Sequence, residues 1–214
     1  MSIPLVVVGA GGFGREVLDV VEAMNEAEAE PVFEILGVLD SDPSTVNLER
    51  LAARGVKYLG TDSAWREARI QSQYLIGIGN PQVRQRIAEA FSRAGFEAAT
   101  AIHPAATVGS RVVIGGGSVV CGGVQLSTNV SLGQHVQINP NATIGHDAVL
   151  HDFVSINPAA TISGEVVIEV RALIGAAAVV LQGISVGGDS LVGASACVVR
   201  RVEPKSIVKG VPAS

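Results

Sequence analysis

Aromatic side chains are scarce in this 214-residue chain, at 4%, and only 16% of positions carry charge. Cysteine is nearly absent: Cys121 and Cys197 cannot build a disulfide framework, and no CxxC or Cys/His cluster suggests a metal site. Both read as small buried hydrophobes. No apolar run approaches the roughly 18 residues that span a bilayer, and Met1-Ser2-Ile3-Pro4 lacks the basic segment and cleavage site of a signal peptide. The expectation is a cytoplasmic protein with no membrane partner.

What the chain has in quantity is small and apolar, with 48% hydrophobic residues and 25 glycines, enough to fill a core. Charge is divided unevenly. Residues 1–100 hold 9 Lys/Arg against 14 Asp/Glu, and residues 101–214 hold 6 of each. An acidic half joined to a neutral half lacks the phosphate-neutralising surface that nucleic acids require, so no nucleic-acid partner is expected. Arg200, Arg201, Lys205 and Lys209 crowd near the C-terminus, which suits one small anion better.

The two halves follow different periods. In 1–100, Leu5-Val6-Val7-Val8 reads as a β-branched strand, followed by Gly9-Ala10-Gly11-Gly12-Phe13-Gly14 and a helix over Arg15–Glu30. A second strand over Phe33–Asp40, a helical stretch around Ser63–Ile70, a third strand over Tyr74–Ile78 and a helix over Gln82–Ala94 complete a β-α-β-α-β order, which implies a small parallel sheet. Trp65 and Tyr74 read as its core.

From Ile102, every sixth residue to Val198 is Ile, Leu or Val, seventeen in unbroken register. Four places after each lies a small or β-branched residue, as at Ala106, Val112, Ala142, Ala160 and Ala196. Helices repeat at 3.6 residues and strands at 2, so a strict six-residue period specifies strand and turn in alternation, one side of a coil per hexad. The architecture is a parallel β-helix over 101–214. Asn139-Pro140 and Asn157-Pro158 fall in one ladder and mark one corner.

His146, at the third place of Ile144-Gly145-His146-Asp147, projects from a turn, with Thr128 below it and Gly164 above. Glycine at 164 is expected to leave open space beside the imidazole for a slender ligand. Acyl transfer from a thioester needs a base that takes the acceptor's proton, a task for which imidazole is suited, and Asp147 is placed to orient it. The alternative for His146 is a solvated turn histidine. His103 reads as structural, His151 as a weaker assistant, and His135 with Phe153 and Arg171 as an outer-face cluster.

The repeat resembles the hexapeptide-repeat acyltransferases, whose left-handed β-helix takes three hexads per triangular coil. With both halves considered, the chain is similar to the bacterial nucleotide-amino-sugar N-acetyltransferases and their sialic acid O-acetyltransferase relatives. The resemblance implies an α/β N-terminal Rossmann-like domain over 1–100 that binds a nucleotide sugar, followed by a left-handed parallel β-helix that binds acetyl-CoA. In that family Asn, then His seven residues on, then Asp or Glu, form the catalytic motif, which Asn139, His146 and Asp147 reproduce. The resemblance also implies substrate contacts at Gly11, Gly12, Phe13, Asp40, Gly79, Asn80 and Asn139. Donor contacts are expected at Ser155, Gly164, Ala176, Ala194 and Lys209. It further implies a C3 homotrimer with sites between neighbours and no metal. Phe13 and Ser155 stand where the family usually has histidine, so the acceptor and the acyl group stay open. The N-acetyl reading stands beside two others: O-acetylation of a sugar hydroxyl, and a β-helix scaffold without catalysis. Gly9-x-Gly11-x-x-Gly14 after a strand, with Asp40 ending the next, also fits a dinucleotide fingerprint, or a glycine turn needed only for packing. A redox domain needs two mononucleotide halves, and scarcely one fits before Ile102.

Overall fold

A computed structural model describes residues 2–214. The chain forms two compact units, with the boundary between Ala101 and Ile102. The first contains β1 (Ile3–Val8), α1 (Gly12–Ala27), β2 (Phe33–Leu39), α2 (Thr45–Ala53), α3 (Asp62–Ala68), β3 (Gln73–Ile76) and α4 (Pro81–Arg93). Its three strands are parallel in the order β2-β1-β3. Leu5, Val6, Val7, Val17, Leu18, Leu39, Leu75 and Phe91 are buried between sheet and helices. Trp65 and Tyr74 belong to this core, with Tyr74 stacked 4.4 Å from Phe91.

Three boundaries differ from the sequence reading. Helix α1 starts at Gly12 because Gly11 takes the extended N-cap conformation, three residues before Arg15. Strand β3 ends at Ile76, since Gly77 turns its N–H back to Val8 O at 2.8 Å. Helix α2 escaped the sequence reading altogether. It buries only Leu51, so it has little apolar periodicity, and its one signal was Ser44, whose hydroxyl caps Asn47 N–H.

In the second unit each hexad makes a two-residue strand and a turn, and strands 18 residues apart pair in parallel, as Ile138 does with Val120 and Ile156. The pairing stacks three flat faces. The first face has seven strands, the second six and the third five. Both predicted rows point inward, and from Val120 to Val198 the aliphatic rungs are almost fully buried. Burying each large rung contributes roughly 1.5–3 kcal/mol, which is what holds such short strands together.

The period is imperfect at both ends. In the first coil Val108 is exposed and Ile114 half-buried, so the start of the aliphatic register is not interior. After Val198 the last coil is shortened: Val186 pairs with Val202 and Leu191 with Ile207, 16 residues on.

The turns demand a left-handed residue at the third place after each rung, met by Asn129, Asn141, Asp147, Glu165 and Ala177 among others at φ near +60°. Such a conformation disfavours residues other than Gly, Asn and Asp, so the coil stacking imposes it. His135 and Phe153 share this place and stack with centroids 5.2 Å apart. They are nearly buried, at 5% and 9% exposure, so the expected outer-face cluster is instead a packed ladder, continued by the Arg171–Asp189 pair.

Candidate active site

In the N-terminal unit, β1 is central and the chain passes first to β2 on one side, then to β3 on the other. Open parallel sheets bind ligands where the strand order reverses, beyond the carboxyl ends of the strands. That point lies between the loop after β1, Gly9–Gly11, and the loop after β3, Gly77–Asn80. The glycines divide by task. A Cβ on Gly9 would meet Gly77 O at 2.8 Å, and Gly14 and Gly77 press against Gly9 and Gly14 backbone, so these three close the packing. Gly11, Gly12 and Gly79 have nothing within 4 Å of such a Cβ and border open space. No side chain caps α1 and no acidic residue stands in its first turn. Its free N–H groups therefore favour an anion. Phe13 is half-buried in that same turn.

The carboxylate of Asp40 accepts from Ala10 N–H at 2.7 Å and from Asp42 N–H at 2.9 Å, which ties the first glycine loop to the end of β2. Arg15, unassigned by the sequence reading, donates to Ala10 O and to Asn47 Oδ1. Asn80 needs a correction of emphasis: its Oδ1 accepts from Val83 N–H at 2.9 Å and caps α4. Arg84 was missed. It is fully buried, donates to Ile78 O at 2.8 Å and Gly79 O at 3.1 Å, and burial brings its pKa down to about 9. An arginine in a helix pattern gives no sequence sign of such burial. A groove of about 440 Å³ lined by Ile3, Arg69, Gln73, Phe96 and Glu97 opens at the amino ends of β1 and β3, the opposite edge of the sheet from these loops.

In the β-helix, His146 stands at the corner between the second and third faces. Its Nδ1 lies 2.7 Å from Asp147 Oδ2, and the other carboxylate oxygen accepts from Asn129 Nδ2 at 2.9 Å. The hydrogen bonds from His146 and then from Asn129 hold the Asp147 carboxyl below its usual range. A carboxylate at Nδ1 selects the tautomer with the proton there and leaves the Nε2 lone pair free. No protein group bonds Nε2 among the described residues, and the ring is half-exposed.

Gly164 does not border an empty space. A Cβ there would lie 2.5 Å from His146 Cε1 and Nε2, because the imidazole itself covers the glycine and buries it. The expected donor path from Gly164 to Ala176 and Ala194 is also corrected. Ala176 and Ala194 stack 18 residues apart on the corner between the first and second faces, shared with Asn139, whose Nδ2 donates to Ile156 O. His146 and Gly164 occupy the next corner. Ser155 lies on the first face and is 1% exposed, with no open hydroxyl surface of its own. Lys209 is exposed beside Gly193 at the last coil. His151 belongs to the third corner, away from His146, and His103 accepts from Ala105 N–H within its own turn.

A three-stranded mononucleotide half ahead of a hexad β-helix with an oriented corner histidine defines a class, the two-domain hexapeptide acyltransferases. Residues 4–91 match the family described as PglD N-terminal domain. The GDP-perosamine N-acetyltransferase of Escherichia coli O157:H7 is 29% identical over 146 residues, which is 68% of this chain and 63% of that protein. Over nearly the whole chain the fold matches PerB from Caulobacter crescentus, solved with CoA and GDP-perosamine, at TM-score 0.87 and 30% identity, covering 99% of this chain and 96% of PerB. The acetyltransferase domain of PglB from Neisseria gonorrhoeae FA1090, solved with acetyl coenzyme A, matches at TM-score 0.87 and 30% identity, covering 100% and 99%. The chain belongs to the hexapeptide-repeat nucleotide-amino-sugar N-acetyltransferases.

Proposed function

We propose that this protein transfers an acetyl group from acetyl-CoA to the amino group of a nucleotide-linked amino-deoxy sugar in the cytoplasm. The observation that carries this reading is the corner imidazole, bonded through Nδ1 to Asp147 and bare at Nε2. The substrate amine attacks the thioester carbonyl carbon, Nε2 takes the ammonium proton as the C–N bond forms, and the C–S bond breaks. The proton then passes to the departing thiolate of CoA. The only two cysteines lie on other turns and ladders, so direct attack needs no covalent acyl-enzyme.

The nucleotide is held at the switch point of the N-terminal sheet. Gly11, Gly12 and Gly79 admit it, Phe13 packs on it, the first turn of α1 meets its phosphates, and Asp40 reaches its ribose side. Asn80 serves there through its free amide nitrogen. Acetyl-CoA lies along the corner that carries Asn139, Ala176 and Ala194, with Lys209 toward its diphosphate and Ser155 on the adjoining face. Because that corner and the His146 corner are distinct within one chain, the reading includes a C3 trimer, in which the donor corner of one copy meets the base of the next. GDP-perosamine is the first acceptor to test, since relatives are described with it.

Assay of a panel of nucleotide amino sugars with acetyl-CoA, by thiol release and product mass, tests the activity. His146→Ala is expected to lower kcat by about 10² to 10⁴, the usual contribution of general acid-base catalysis, with acetyl-CoA binding retained. Turnover within threefold of wild type in that variant would remove His146 as the base, and acetylated hydroxyls in place of amines would convert the reading to O-acetylation.

A further inference from the structure

We propose that Asn129 is a positioning residue for acyl transfer, donating from Nδ2 to Asp147 and thereby holding the carboxylate that orients His146. The inference rests on the reading of His146 as base and extends it by one residue that the Asn-His-Asp motif does not contain.

Asn129 stands one coil below Asp147, and each takes the left-handed conformation of its turn, at φ +59° and +60°. Stacked in this way, their side chains leave the same corner in parallel. The backbones are fixed independently, Asn129 N–H on Ser110 O at 3.0 Å and Asp147 N–H on Thr128 O at 3.1 Å. The side-chain bond of 2.9 Å is therefore not needed to close either turn. It does decide where the carboxylate points. Asp147 has two oxygens, one on the imidazole and one on Asn129, and a half-exposed carboxylate without the second donor is free to rotate into solvent. With it rotates the partner that keeps the proton on Nδ1. The carboxamide is the only side-chain donor to Asp147 besides the ring among the described residues. Arg111 and Glu165 occupy the same ladder two coils below and one above, and they stay unchanged in the variants.

A turn role and a donor role make opposite demands on position 129. Asparagine and aspartate both tolerate the left-handed conformation, so a residue kept for its turn is replaceable by aspartate. A donor is not. Asn129→Asp removes the N–H and sets a second carboxylate against Asp147, whereas Asn129→Ala only removes the bond.

The test measures kcat and both KM values at pH 8 with acetyl-CoA and GDP-perosamine, together with ¹H–¹⁵N spectra of the imidazole, which report the tautomer without turnover. Expected are a kcat about 10-fold lower for Asn129→Ala and lower still for Asn129→Asp, KM values within twofold, and loss of the single Nδ1–H tautomer in both. In the Asn129→Ala, His146→Ala double variant the losses are expected not to multiply, because Asn129 acts through His146. Full kcat or an unaltered tautomer in Asn129→Asp would overturn the proposal. If the wild-type protein turns over no substrate, the activity reading fails, while the spectra still decide the role of Asn129.

Discussion

Gly164 shows how one missing side chain is used at the reaction corner. The sequence suggests a gap for the ligand, but the space is taken by the base. The glycine backbone lies outside the left-handed region, so alanine is allowed there conformationally, yet its Cβ at 2.5 Å from Nε2 forces the imidazole off Asp147. Gly164→Ala is expected to lower kcat by about 10²-fold, the effect of misplacing a catalytic group by an ångström, with acetyl-CoA affinity unchanged by calorimetry. Weakened acetyl-CoA binding with normal kcat would return Gly164 to the donor path. Asn129, Asp147 and His146 were readable as types from the chain, and the last two as a pair. That Asn129 bonds Asp147 follows from 18-residue stacking once both left-handed turns are aligned, so the signal existed in the repeat arithmetic and went unused.

At the scale of elements, the N-terminal sheet depends on β3 and the helix packed on it. Burial pushes the Tyr74 phenol up to about 12, against about 10 for an exposed tyrosine. Between those values the unfolded chain has lost the proton and the folded chain keeps it, so stability is full below pH 10 and falls as pH rises toward 12. Denaturant midpoints followed through Trp65, the single tryptophan, are expected to drop over that window and to drop less in Tyr74→Phe. Equal slopes in both proteins would assign the loss to other groups. The hexad strands follow another rule. They are two residues long and gain nothing alone, so each exists because the coils above and below supply its hydrogen bonds and bury its rung.

At the scale of the whole molecule, the two corners of the β-helix divide the proposed donor and base residues, and a threefold assembly rejoins them. Light scattering at micromolar concentration is expected to give three times the chain mass, and a concentration-independent monomer that acetylates its substrate would refute the trimer. Mixing His146→Ala chains with Asn139→Ala, Ala176→Leu chains is then expected to restore part of the activity lost by each, because one kind of interface pairs an intact base with an intact donor corner. No recovery on mixing would place a complete site in each chain.

The sequence by itself determined the β-helix, because a period of six admits no helix or ordinary strand, and seventeen aliphatic rungs need one shared interior. It also determined the parallel order of the first unit and the adjacency of His146 and Asp147, which is covalent. Only the tertiary structure decided which corner each residue occupies, that Gly164 is covered by the imidazole, that Asn80 caps α4, and that Arg84 is buried under the loop of Gly79. The physical reason is common to all four. Periodicity records whether a side chain faces in or out, whereas hydrogen bonds between coils and loops depend on the register of segments far apart in the chain.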